Sequence, residues 1–592
     1  MSKKVGTLSL AIVTLGLAPF WSDGHAAPSE VVVKAVADEC YNGIGRNYVE
    51  KFGDGDACPT GWLEKTNQTY GWALTKSGDD VWVGTGANVS CIAATAGSFF
   101  AGEPIFFQAP PGESSLGPGP FPAEPPFTDI EIQFPTGPGQ FVTITPEAAD
   151  YVLACEGAEG DYLYQAFPLA VPLINRLTDP LLGTSLLGLI GDWRPAEVWV
   201  HDTSVGGANQ TRVPIHDPRI HFTLGLRAAG AKDGVVLMAG PGILGLGLQV
   251  FAFDADTKEL IDSRLFARYS NARRFVTLRN QLYVGVQNTD GSGSVLLWTG
   301  SRANPLKFQV VGTLDSEVAQ LATFGDRLVA TTWPPSQLSS VAGVFSGAEA
   351  APPGLWISPR VPFFGLRWWH RGWWSKLWEY SEYDPDPVIA AYSGLGDLRQ
   401  FGQCLYYGSM HPPQSGSQGI RQEYDEAELV DTTDDEIDEK AYRSLAVFRI
   451  CPAESLDVEL LYGEKSLPVY TPGVGWEEKD NGLGEPKYGQ LADRAQNYFW
   501  SMGFLGGELC FGTQETSESS QIPAAQGGDL WCFPDTDSAA TAFDNSGLGN
   551  KYNSGYRNMV EANGSLYLAT SNGANLNPDG GFELIRLDPD SE

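Results

Sequence analysis

The chain has 592 residues, too many for one ordinary domain unless it folds as a large all-β assembly. Its 69 glycines and 40 prolines call for many turns, while 42% hydrophobic and 11% aromatic residues fill a sizeable core and exclude wholesale disorder. A net charge of −34 argues against nucleic acid or an anionic membrane surface as the general partner of the molecule.

Lys3 and Lys4 precede an apolar run from Val5 to Leu17, with small residues at Gly24, Ala26 and Ala27 and then Pro28. This is the pattern of a secretory leader, so residues 1–26 are expected to be removed and the protein exported to the periplasm, the cell surface or the medium. No later apolar stretch has spanning length, since Ala170 to Ile190 is interrupted by Pro172, Asn175, Arg176, Asp179 and Pro180. Eight cysteines in an exported chain are expected to pair. Proximity in sequence and on neighbouring strands gives Cys40 with Cys58, Cys91 with Cys155, Cys404 with Cys451, and Cys510 with Cys532. Residues 27–66 then form a disulfide-supported N-terminal segment.

From residue 67 onward a pattern recurs: a strand, a tight polar turn, then an apolar-aromatic strand ending in small residues. Seven copies are found, starting at Trp72, Leu224, Phe275, Leu321, Leu398, Trp500 and Asn558, with Val81, Val235, Leu282, Leu328, Leu405, Leu509 and Leu566 equivalent. Several are followed by a third strand-like run, among them LQVFAFDAD from Leu248, SVLLWTG from Ser294, GLWISP from Gly354, GDLWCFP from Gly528 and GFELIRLD from Gly581. Strand, turn, strand, loop, strand, repeated seven times with few helical runs, predicts an all-β fold over 67–592. The architecture is a β-propeller of seven antiparallel blades, with a strand near Val31 to Ala35 completing the last. Long insertions fall at 101–190, with a short helix expected between Ala166 and Ile190, and at 413–440, where an acidic run from Asp425 reads as a solvated loop.

The hairpins NGSLYLATSNG from Asn563 and NQLYVGVQN from Asn280 resemble the kelch-like blade hairpins of secreted bacterial β-propeller proteins. The resemblance covers most of 67–592 by architecture. It implies the fold and transfers no catalytic motif, for neither WD periodicity nor regular paired glycines is present.

In such a fold the innermost strands line the central channel, which places Trp72, His221, Arg273, Arg274, Gln400, Trp500, Arg557 and Asn558 there. The turns after the second strands add Asn88, Asn288, His411 and Asn572. The arginines could clamp an anionic ligand by bidentate contact or pair with neighbouring carboxylates and stiffen the channel. WWHRGWWSKLWEY puts five of the 17 tryptophans between Trp368 and Trp378. Trp368, Trp369, Trp373 and Trp374 form either a binding platform or a satellite core. Asp535, Asp537 and Asp544, with Asn545 and Asn550, are oxygen donors for calcium or ordinary Asx turns, and calcium is the one cofactor to which the sequence points. No nucleophile elbow, zinc-protease helix or P-loop occurs. His370 and His411 are the candidate acid–base residues, and Asp384 and Asp386 are paired acids in a stiff EYDPDP loop. The leading expectation is a binding or scaffold protein that recognises an extracellular glycan or protein through the channel face and the Trp-rich loop. The alternative is a lyase or hydrolase with a metal-assisted site in the central funnel.

Overall fold

The structure is a computed structural model. It describes residues 29–41, 49–50, 57–60, 63–89, 132–137, 140–144, 194–243, 247–334, 352–412, 415–425, 427–430, 432–452, 457–491, 496–515 and 527–589. Cys91, Cys155 and the helix expected between Ala166 and Ile190 lie outside these residues.

Alternating strands and two-residue turns dictate the local structure. At Asp233-Gly234 and Asn563-Gly564 both turn residues have positive φ, which gives type I′ turns whose twist matches the flanking strands. Two-residue hairpins, some with positive φ only at the leading glycine as at Gly78, Gly325 and Gly402, begin seven antiparallel four-stranded units. Their innermost strands are Gln68–Ser77, Ala228–Lys232, Tyr269–Leu278, Glu317–Phe324, Gly394–Phe401, Gln496–Leu505 and Gly555–Ala562. We number the units one to seven in that order. The seven residues read as equivalent all sit in second strands and are buried, and their packing between neighbouring sheets makes the core. The third-strand runs form the strands Leu248–Asp254, Gly293–Trp298, Gly354–Ile357, Leu530–Phe533 and Glu583–Leu587.

Each innermost strand lies against that of the next unit, and the seventh lies against the first, where Ser571 pairs with Tyr70. The outermost strand of unit seven is Ser29–Lys34, antiparallel to Glu583–Leu587. The N-terminus thus completes the last sheet, as the sequence suggested, and covers an edge that would otherwise be free. The fold is a β-propeller of antiparallel four-stranded sheets.

Three disulfides are formed among the described residues, Cys40–Cys58, Cys404–Cys451 and Cys510–Cys532, each with the expected partner. Cys40 lies in a small three-stranded sheet beside the propeller. The acidic segment is more ordered than a solvated loop. It contains the helices Ser415–Glu423 and Asp434–Lys440, the latter capped by Thr433 Oγ1, which accepts from Glu436 N, with three acids in its first turn. Acids there complement the helix dipole, so the run codes for a helix start. No helix among the described residues is long and apolar enough to cross a membrane.

Val33 is buried in the cluster that joins units seven and one, whereas Val31 on the same strand is exposed. Val33→Asp is expected to lower the thermal midpoint by several degrees, the effect of roughly 2–4 kcal/mol from an unpaired buried carboxylate, and Val31→Asp to leave it within about a degree. Equal melts for the two variants would show that the N-terminal strand does not hold the last unit.

Candidate functional site

The innermost strands are not regular. The ladder skips a residue between Gly71 and Ala73, Ala272 and Arg274, Phe499 and Ser501, and Tyr556 and Asn558. The skipped residues are Trp72, Arg273, Trp500 and Arg557. A bulge sets two residues opposite one and re-aims the extra side chain, here towards the ring axis. Ala319 is skipped in the same way in unit four, as are Gly396 and Asp397 in unit five.

These residues meet those of non-adjacent units. Trp72, Tyr70, Trp500, Tyr498 and Trp333 form a continuous arc of edge-to-face rings, with centroid separations of 6.3, 6.1, 5.9 and 6.3 Å. Three tryptophans carry a guanidinium: Arg227 lies 5.2 Å from Trp72, Arg273 4.4 Å from Trp333 and Arg557 5.5 Å from Trp500. Arg274 Nη1 donates to Asn558 Oδ1 at 3.1 Å, a bond from unit three to unit seven, and its Nη2 is 4.0 Å from Asp397 Oδ2 of unit five. The axis is therefore crossed by polar contacts.

Charge in the cluster is unbalanced. Arg273 Nε donates to Glu317 Oε1 at 2.9 Å, both side chains being buried, and Asn271 donates to the same oxygen. Asp397 also accepts from Met502 N. Arg227 leaves Nε and Nη1 buried without a partner, and Arg557, 2% exposed, has no hydrogen bond or ion pair among the described residues. Burial, reinforced by Arg273 and Arg274, lowers the Arg557 pKa to about 9, and burial with Arg273 holds Arg227 well below the ordinary range. Pairing with a carboxylate thus describes Arg273, whereas Arg227 and Arg557 have no carboxylate within ion-pair distance among the described residues.

The other candidates separate into structural positions. His221 lies in a short 3₁₀ helix, Pro218–Phe222, and not on an innermost strand, because Pro218 opens a helical turn capped by Asp217. Gln400 ties two turns together, accepting from Gly325 N and donating to Gly402 O. Asn88, Asn288 and Asn572 clamp loops through hydrogen bonds to Asn67, Ser294 and Asp579.

His411 is buried between Tyr380 Oη and Ser393 Oγ, each 3.0 Å from a ring nitrogen. His370 accepts from Arg367 N and packs between Trp369 and Trp373. They sit in different environments, each with its own partners. Asp384 is in a buried ion pair with Arg443 at 2.7 Å. Asp386 caps the helix Pro387–Tyr392 and accepts from Tyr470 N. Asp535 accepts from the backbone of Asp537 and Ser538, and Asp544 from that of Ser546 and Leu548. These are Asx turns. Among the described residues no three His, Cys, Asp or Glu side chains converge as metal ligands, so the calcium set Asp535, Asp537 and Asp544 is not assembled.

The Trp-rich segment divides by side-chain direction. Trp368, Trp369 and Trp373 are 58%, 47% and 61% exposed, and Phe363 and Phe364 are exposed beside them. Trp374 is buried, its Nε1 donating to Val311 O at 3.1 Å, so it leaves the platform and joins the core. Trp378 packs on Tyr407 and Phe448. The exposed rings lie between the outer strands Gly354–Ile357 and Ser375–Glu379 of unit four and lean on unit three, away from the axis. Rim shelf and axial cluster are thus separate in the fold.

Tyr70, Trp333, Tyr498, Arg227, Glu317 and Asp397 were absent from the sequence reading. Arg227 lies inside the copy that begins at Leu224, and its signal was a cation one residue before a strand.

No protein-family model matches the chain, and no curated protein matches its sequence. Among solved structures, the β-propeller domain of the Trilobed protease from Pyrococcus furiosus is similar at 10% identity, covering 60% of this chain and 76% of that one, with a TM-score of 0.27. A neuraminidase-like protein from A/bat/Guatemala/164/2009 has 9% identity, coverage of 58% and 80%, and a TM-score of 0.30. YjhT has 13% identity, coverage of 58% and 90%, and a TM-score of 0.30. The propeller assignment rests on the strand pairing of this chain itself.

Burial lowers the His411 pKa from the ordinary 6.5 to about 3. The unfolded chain therefore takes up a proton below about pH 6.5 that the folded one refuses. Stability from this group is full above pH 6.5 and falls by about 1.4 kcal/mol per pH unit towards pH 3. His411→Gln is expected to flatten that part of the acid limb in urea unfolding between pH 7 and 4.5, and an unchanged slope would contradict it.

Proposed function

We propose that this is an exported propeller that binds an extracellular acidic glycan on its rim. The observation that carries the reading is the exposed shelf of Phe363, Phe364, Trp368, Trp369 and Trp373. Indole faces stack on the apolar faces of sugar rings and offer large rigid area at low entropic cost. The segment 358–374 contains Arg360, Arg367 and Arg371 and no acidic residue, in a protein of net charge −34. A cationic aromatic shelf favours an anionic partner. Export is supported by the three disulfides, which persist in oxidising compartments.

Titration with soluble acidic and neutral polysaccharides, followed by tryptophan fluorescence, tests this. The acidic polymer is expected to quench and shift the emission saturably and to weaken as salt is raised. Trp368→Ala with Trp373→Ala should reduce affinity at least tenfold at an unchanged thermal midpoint, because both rings are exposed. Absence of binding by the wild-type protein, or full binding by the double variant, would remove the reading.

A further inference from the structure

The axial cluster is independent of the rim shelf and holds cationic groups that the fold itself does not neutralise. We propose that Arg227 and Arg557 form a binding site for an oxyanion group, a carboxylate, phosphate or sulfate. Both are at least nine-tenths buried, and each guanidinium is held against a tryptophan face, Trp72 for Arg227 and Trp500 for Arg557. Stacking fixes the plane of a guanidinium while leaving its edge N–H groups free to donate. Two of those nitrogens on Arg227, Nε and Nη1, are buried without an acceptor, and Arg557, 2% exposed, has no hydrogen bond or ion pair among the described residues. Buried donors without acceptors are rare in native proteins and carry a desolvation cost that a bound anion removes.

The carboxylates nearby are already engaged. Glu317 accepts from Arg273 and Asn271, and Asp397 accepts from Met502 N and Leu398 N. The repulsion that Arg273 and Arg274 exert on Arg557 favours a negative occupant over a neutral one. Oxyanion geometry suits the site because guanidinium forks donate pairwise to carboxylate and phosphate oxygens. Trp333 is the last residue of its strand and Arg227 immediately precedes its own, so the cluster lies towards one face of the ring.

The test uses the full mature chain and three probes, inorganic sulfate, inorganic phosphate and acetate, each against sodium chloride at matched ionic strength. At least one is expected to raise the thermal midpoint saturably by about 3 °C, and the order among them identifies the preferred group. Arg557→Met is expected to melt no lower than wild type without anion, since it removes an uncompensated buried charge, and to need at least tenfold more anion for the same shift. Arg227→Met gives the same readout through the other wall. The proposal is overturned if none of the three anions shifts wild type beyond chloride, or if a folded variant at either arginine keeps the full response. An adventitious ion only, bound equally by wild type and both variants, also overturns it. Binding of polysaccharide at the rim is unaffected in either case.

Discussion

A recurrent backbone irregularity, the β-bulge within the innermost strands, determines what lies at the centre of this propeller. A strand with strict period two sends alternate side chains into the packing between neighbouring sheets. One extra residue breaks that alternation, and the side chain set free belongs to Trp72, Arg273, Trp500 or Arg557. Because several units bulge at matching heights, large polar and aromatic groups converge on the axis from different parts of the chain. Arg274 and Asn558, 284 residues apart, meet there.

Convergence sets an electrostatic problem. Four guanidiniums share a region with two carboxylates, Glu317 and Asp397, and removing a cation from water costs several kcal/mol unless a partner replaces the lost hydration. Tryptophan faces supply part of that replacement, and the Arg273–Glu317 pair supplies more. At other places the chain gives buried carboxylates direct partners, as where Asp384 meets Arg443 and where Asp386 caps a helix. The contrast makes Arg227 and Arg557 notable: the same fold that satisfies one buried charge by bidentate pairing leaves two others open.

The sequence made the blades legible because a hairpin is a local object. Alternation, a two-residue turn and a buried aliphatic at a fixed offset together mark the hairpins, and Cys510 and Cys532 stand directly opposite in the ladder. The bulges were not legible, since one additional residue inside a strand changes no turn signal and leaves only a slip in parity. Trp373 and Trp374, adjacent in sequence, separate likewise, one exposed and one bonded to Val311 O. Whether a tryptophan pair forms a shelf or a core depends on the strand against which it packs, which only the assembled units define. The acidic run from Asp425 is solvated, and the acids clustered after Thr433 also start a helix, Asp434–Lys440, because acids suit both solvent and a helix N-terminus.

The most direct test of this account is a high-resolution crystal structure of the protein grown in sulfate, inspected within the axial cluster. The account predicts tetrahedral density bonded to Arg227 and Arg557 between the faces of Trp72 and Trp500. Guanidiniums turned onto carboxylates, or bonded only to water with no anion between them, would contradict it.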